Sequence, residues 1–300
     1  MTTTNIEFNA PTVTKEEKSI GIWKDSFQRL IKNRMAVFSI VIVLIMFFLA
    51  VFGPILTPYD FLKQDLSIRS QPPSAEHWLG TDYLGRDVLS RVIYGARTAT
   101  LVSLLVVVLS SAIGILVGSI SGYFGGKIDF FLMWFTDLNM AFPNLVLGVV
   151  LAVSLRPPLG RWMEQMYLTT GNAAFRQSSL LDLGLVVAVI VLVAWCPYAR
   201  VLRSQVMAVR NYNYVLAARA LGLSTFTIVT KYIIPNAIGP VIVQMSAGMG
   251  SAMLTESAFS FLGIGINPPI PSWGNMINEG LRQWTAAPHL LLAPALVLGI

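Results

Sequence analysis

The chain has 300 residues, 55% of them hydrophobic and only 12% charged, with a mean hydropathy of +0.66, which is more apolar surface than a soluble core can use and indicates an integral membrane protein. A net charge of +6 would suit nucleic acid in a soluble domain, but the basic residues cluster beside apolar runs, where they set orientation in a bilayer, so the lipid bilayer and no nucleic acid is expected as partner. Cys196 stands alone and excludes an internal disulfide, and His77 and His289 give no metal-ligand spacing.

Residues 1–19, rich in Thr, Lys and Glu, read as a solvated tail, and no cleavable signal peptide is expected. Ile20, Trp23, Phe27 and Leu30 then recur at helical spacing beside Lys24, Arg29, Lys32 and Arg34. Two readings stay open: an amphipathic helix on the inner membrane face, or a helix packed on the protein's own spans. Residues 1–35 are thus a peripheral cytoplasmic segment ahead of a transmembrane domain over residues 36–300. Residues 36–56 form an apolar run long enough to cross ~30 Å of hydrocarbon, and are expected to act as an uncleaved anchor.

A polar outer loop follows over residues 57–97, with Pro58, Pro72 and Pro73. Near its end Gly80-x4-Gly85-Arg86-Asp87 approaches a phosphate-binding loop, but Arg stands for the Lys and Asp for the Ser or Thr that would hold magnesium, and no strand precedes it. Nor do Asp82 and Asp87 have the spacing of a calcium loop. A turn held by Asp and Arg pairs is expected instead. Residues 98–122 are the second span, with Gly114, Gly118 and Gly122 on one face for close helix packing. A third span is expected over residues 129–155, with Asp137, Asn139 and Pro143 inside it. An ionised Asp within the bilayer costs roughly 2.5–3.5 kcal/mol on the insertion scale, so Asp137 should face protein or water, as a pathway carboxylate or as the partner of an Arg. Residues 156–180 read as an outer loop and residues 181–198 as a fourth span, kinked or ended by Pro197.

The cytoplasmic stretch over residues 200–236 comes next. Within it Asn213 can cap a short helix that Gly222 ends, and Ser224 can cap a second that Pro235 stops. Ala217, Ala218 and Ala220 leave the first helix little bulk, so another protein surface can approach its backbone. Residues 236–262 are a fifth span with Glu256 near its far end, and residues 264–288 another outer loop. Residues 289–300 are too few to cross a bilayer as a helix. With the amino terminus inside, Lys and Arg divide as six, one and five on the inner side against five, three and one outside, a modest positive-inside bias.

Ala217-Ala218, Gly222 four positions later and Ile234-Pro235 resemble the coupling-loop signature of permease subunits of bacterial ABC importers. Leu216 stands where that signature usually opens with Glu. Three further stretches resemble the dipeptide/oligopeptide/nickel branch: Gly80-Thr81-Asp82 with Gly85-Arg86-Asp87, Arg91, Gly95 and Arg97; Asp137 with Ala141-Phe142-Pro143; and Glu256 with Ser260-Phe261-Leu262-Gly263 and Gly265. The resemblance implies an all-α membrane protein with the type I importer permease fold, in which six transmembrane helices are expected, five complete here and the sixth cut short. It implies that Leu216, Ala217, Ala218, Arg219, Ala220, Leu221 and Gly222 dock into a separate ATPase subunit, and it makes Asp137, Asn139 and Glu256 candidates for pathway or gate. It also implies no cofactor in this chain, ATP and Mg being bound by two partner ATPase subunits. A second, homologous permease subunit and an extracytoplasmic substrate-binding protein complete the expected assembly, in the bacterial inner membrane. Di- or oligopeptides lead as substrate, with nickel chelates, glutathione or opines as alternatives. Two other classes remain: an intramembrane serine protease using Ser251 and His289, and a secondary transporter built on buried carboxylates such as Asp137.

Overall fold

The computed structural model describes residues 31–172, 175 and 178–299, so the amphipathic pattern at residues 20–30 lies outside the described residues. The chain divides into residues 1–45 and 46–300. In the first unit the Asn33 carboxamide oxygen accepts from the backbone N–H of Met35 at 3.1 Å and opens helix α1 (Arg34–Leu56), which runs on into the second unit.

The second unit is helical, and among the described residues four helices are long and apolar enough to cross a membrane. These are α1, α2 (Val88–Phe124), α4 (Asn144–Thr170) and α5 (Ser178–Val209). A bent pair, α7 (Thr225–Ala237) and α8 (Gly239–Phe261), meets at 63° and makes a fifth if counted as one span. The shorter helices are α3 (Gly126–Met140), α6 (Asn213–Ala220), α9 (Trp273–Leu281) and α10 (His289–Gly299). In hydrocarbon each backbone N–H needs a partner within its own segment, which is why apolar runs of this length become helices.

The glycine stripe of α2 forms the central seam. A Cβ at Gly118 would stand 2.6 Å from the Ala199 carbonyl oxygen of α5, and one at Gly122 2.8 Å from the Val206 Cβ. Gly114 meets Tyr198 and Ala199 in the same way. The two helices therefore touch backbone to backbone, the packing such a stripe permits. Arg203 of α5 forks onto Asp129 of α3 at 2.5 and 2.6 Å, and Ser121 of α2 donates to the same carboxylate. Below the seam Leu202, Val206, Val215, Ile228, Ile233 and Val241 form a buried cluster that ties α5, α6, α7 and α8 together. On the other side Val88, Val92, Trp273, Met276 and Leu290 join α2, α9 and α10, and the Trp273 indole N–H donates to the Val92 carbonyl at 3.0 Å.

Several boundaries differ from the sequence-based expectation. α2 begins ten residues early, at Val88, because the Asp87 carboxylate accepts from the Ser90 N–H at 2.7 Å and caps it, so the outer loop is residues 57–87. The third span is two helices: Pro143 has extended backbone and no N–H, and parts α3 from α4. Most of the expected outer loop over residues 156–180 is helical instead. α4 continues through Pro157 and Pro158 to Thr170, because Val149, Leu151 and Leu155 pack on the core and Arg156 pairs with Asp182 of α5. Pro197 neither ends nor interrupts α5. Pro235 does not stop α7; it follows a π-helical turn over Ile228–Ile233, where wider hydrogen-bond spacing makes room for a residue without an N–H. The break comes three residues later, before Gly239 and Pro240.

Candidate functional site

The seven residues expected to meet an ATPase subunit fall on α6 and its C-terminal turn. Val215 and Ala218 face the buried cluster below the seam, while Leu216, Ala217, Arg219, Ala220, Leu221 and Gly222 are exposed. The small-residue surface is therefore made by Ala217 and Ala220, and Ala218 belongs to the support. Gly222 has φ +74° and closes the helix: its N–H reaches the Arg219 carbonyl at 2.9 Å, and the Leu223 N–H reaches the Ala218 carbonyl at 3.2 Å. This is the pair of bonds that satisfies the last carbonyls of a helix ending in a left-handed residue. Ser224 then caps α7, accepting from the Thr227 N–H at 3.3 Å. Leu221 and Phe226 project at 80% and 77% exposure, an apolar edge beside a nearly bare helix. Two arginines fix the base. Arg210 donates to the carbonyls of Gly122 and Tyr123 at 2.8 and 3.3 Å, and the Arg219 guanidinium lies over the Tyr123 ring, 5.0 Å from its centre.

The pathway candidates separate. Asp137 of α3 accepts from Arg200 of α5 at 2.6 Å, with both side chains at least half exposed. Asn139 donates to the Leu192 carbonyl at 3.1 Å, and its own carboxamide oxygen is buried without a partner. Glu256 of α8 is 1% exposed and accepts from Ser260 at 2.7 Å and Ser272 at 2.8 Å. Because Ser272 begins α9 and the Ser260 hydroxyl also accepts from the Ile266 N–H, this carboxylate fastens the loop between α8 and α9 within the chain. An Arg partner for Asp137 is one of the two readings the sequence leaves open, but nothing selects Arg200: an Asp and an Arg on different helices, sixty-three residues apart, carry no spacing signal.

The outer loop is a built structure. Asp82 accepts from Arg86 Nε at 2.7 Å and Arg91 Nη1 at 2.5 Å, and Glu279 of α9 accepts from Arg91 at 2.8 Å. All three of Asp82, Arg86 and Arg91 are buried. Gly85, at φ +71°, lies so close to the Asp65 carbonyl that no side chain fits. Asp65 itself is exposed, and the Ser67 hydroxyl and N–H hold its carboxyl below the usual carboxylate range. An apolar cavity of about 390 Å³ lies between Leu145, Leu254, Phe261, Ile277 and Leu298, with no charged side chain to receive a polar solute. Ser251 donates to the Ala247 carbonyl and His289 lies against Gly80, so the two make no nucleophile–base bond.

Residues 114–300 match the family described as "Binding-protein-dependent transport system inner membrane component", and residues 21–73 match the "N-terminal TM domain of oligopeptide transport permease C". The chain is 36% identical over 277 residues to a dipeptide transport system permease protein of Bacillus subtilis, covering 92% of this chain and 79% of that protein. It is 34% identical over 279 residues to an oligopeptide transport system permease protein of the same organism, covering 93% and 84%. A glutathione transport system permease protein of Pectobacterium atrosepticum is 29% identical over 277 residues, covering 92% and 84%.

Proposed function

Because this chain belongs to the family of binding-protein-dependent transport system inner membrane components, we propose that it forms half of a translocation pathway for di- or oligopeptides. As a multi-pass permease subunit of a bacterial ABC importer it is not itself an enzyme; hydrolysis belongs to separate ATPase subunits. Two relatives named for dipeptide and oligopeptide transport support the substrate class. Our reading adds one homologous permease, two ATPase subunits and an extracytoplasmic binding protein, in an inner membrane with the amino terminus inside. ATP and Mg sit on the ATPase pair.

In the mechanism, ATP closes that pair, the pair moves α6, and the two permeases turn from inward-open to outward-open, where the binding protein releases its load. The work transmitted equals the differential affinity of the ATPase pair for the two states. Leu216, Ala217, Ala218, Arg219, Ala220, Leu221 and Gly222 carry the coupling. Asp137 and Asn139 serve the pathway, and Glu256 holds the gate region around α8 and α9. The observation that carries this reading is the shape of α6: one face seated in the core, the other small and apolar-edged in the open.

Gly222→Trp tests it. No atom lies within 4 Å of the added Cβ, so the local cost is the left-handed backbone alone, about 1–2 kcal/mol, and insertion should survive. The indole would stand on the docking edge. The assembled importer is expected to lose ATP hydrolysis stimulated by loaded binding protein; unchanged stimulation would overturn the assignment.

A further inference from the structure

Three arginines converge on the C-terminal end of α2. Arg203 of α5 forks onto Asp129, whose carboxylate also accepts from the Ser121 hydroxyl. Arg210, the residue after α5, donates from Nη1 to the Gly122 and Tyr123 carbonyls at 2.8 and 3.3 Å. Arg219 of α6 lies over the Tyr123 ring, 5.0 Å from its centre. No Asp or Glu occurs between Asp182 and Glu256, so these arginines find no carboxylate near them in the chain. The end of a helix supplies an alternative, because its last carbonyls receive no N–H from a following turn and carry partial negative charge. In α2 the Gly125 N–H closes onto the Ser121 carbonyl, and the next two carbonyls are the ones that Arg210 takes.

Two routes lead from α6 into the rest of the chain. The first is covalent: residues 210–212 run back to α5, and residues 221–224 run on to α7. The buried cluster follows the same route, since Val215 and Ala218 seat α6 on residues of α5, α7 and α8, while α2 joins only at the edge through Ile115 and Tyr123. The second route is made by side chains and reaches α2, to which α6 has no direct chain connection. It consists of the Arg210 bonds to two α2 carbonyls and the stacking of Arg219 on Tyr123. Gly125, at φ +66°, leaves space for it: a Cβ there would stand 3.1 Å from Arg210 Nη1.

Resting on the reading of α6 as the helix that docks on an ATPase subunit, we propose that Arg210 is a positioning residue for coupling: it ties the bend between α5 and α6 to α2, so that a displacement of α6 carries α2 and α5 together. Tyr123 is its counterpart, accepting Arg210 at its carbonyl and holding Arg219 at its ring. A guanidinium suits the role, because one nitrogen donates to two neighbouring carbonyls and the charge strengthens both bonds. Without those bonds α6 still docks through its exposed side. Its displacement is then taken up by the bend at residues 210–212, and ATP is hydrolysed with little transport.

The test uses the complete importer in proteoliposomes and measures tri-alanine uptake and ATP hydrolysis side by side; uptake by the parent assembly checks the importer reading by itself. In Arg210→Met, which keeps the stem and removes the donors, the ATPase subunits should co-purify as before and hydrolysis without binding protein should be unchanged. Peptide taken up per ATP hydrolysed should fall by about fivefold or more, the size of effect a residue on a coupling route can have. A residue needed only for folding would lower uptake and hydrolysis together and leave that ratio alone. Arg210→Lys keeps a charged donor and should hold about half of the parent ratio or more. The parent ratio in Arg210→Met, or a ratio as low in Arg210→Lys as in Arg210→Met, overturns the proposal. If Arg210→Met does not assemble, Tyr123→Leu removes the ring beneath Arg219 and should lower the ratio by about twofold or more, and an unchanged ratio overturns the proposal equally. Gly222→Trp separates the two readings: if it abolishes stimulated hydrolysis while Arg210→Met keeps the parent ratio, the docking assignment stands and this proposal falls, whereas unchanged stimulation in Gly222→Trp removes both.

Discussion

Gly118→Val probes the seam on which the bundle rests. A single added carbon would stand 2.6 Å from the Ala199 carbonyl oxygen, 3.1 Å from the Arg203 nitrogen and 3.1 Å from the Leu202 Cβ. Two of those three are backbone atoms of α5 and cannot rotate aside. The γ-methyls of valine reach further still, and α5 cannot pivot away because Gly114 and Gly122 are equally tight a turn to either side. Overpacking of this kind costs about 1–3 kcal/mol, and the gain in helix propensity on leaving Gly returns only a few tenths for a β-branched residue. A net loss near 2 kcal/mol corresponds to a melting shift on the order of 4–8 °C for a chain of this size. The lone cysteine supplies the assay: Cys196 is fully buried beside the seam, so a thiol-reactive fluorogenic dye added to the purified subunit in detergent reports unfolding on heating. Gly160→Ala is the control, since nothing lies within 4 Å of its Cβ, and it should melt at or above the parent temperature. If Gly118→Val melts as high as the parent chain, the backbone-to-backbone seam is not what holds α2 to α5.

The same melting assay serves four more substitutions, at three residues. Glu256→Ala strips the acceptor from the Ser260 and Ser272 hydroxyls and leaves a void, so a loss of roughly 2–4 kcal/mol is expected, and Glu256→Gln, which keeps the volume and one acceptor, should lose less than half of that. Asp82→Asn leaves two buried arginines facing Glu279 alone; a loss of roughly 3–5 kcal/mol and faster trypsin cleavage at Arg86 are expected, whereas unchanged cleavage would mean the loop does not depend on this carboxylate. Trp273→Phe keeps most of the packing but gives up the bond to the Val92 carbonyl, for about 1 kcal/mol.

The parts of this fold that follow local rules could be read directly from the residues. The apolar runs became helices, the Gly114, Gly118 and Gly122 stripe became a contact, and Gly222 took the left-handed turn because no other arrangement closes α6 as well. The shape of residues 213–224 was legible in part for the same reason, since the small residues, the terminating glycine and the serine cap are neighbours in the chain; Asn213, expected to cap α6, is instead its first residue, with Tyr212 before it and no side-chain cap. Prolines were where local reasoning failed. Pro157, Pro158, Pro197 and Pro235 all lie inside helices, held by packing against distant elements or by a π turn, and neither influence is written beside them in the sequence. Charge partners were equally hidden. Asp137 could be expected to need an Arg, but only the antiparallel crossing of α3 and α5 selects Arg200, and only the loop back to Ser272 explains how Glu256 is tolerated without a cation.

Arg210 and Arg219 grip the last turn of α2 from two directions, one through its carbonyls and the other through the Tyr123 ring. A push delivered to α6 is therefore felt first at the foot of α2. Because the glycine seam leaves no slack, α2 and α5 respond as one stiff lever. The corner at Gly239 and Pro240, where Pro240 brings no N–H to bridge the 63° turn, is the fulcrum at which α8 can lag behind.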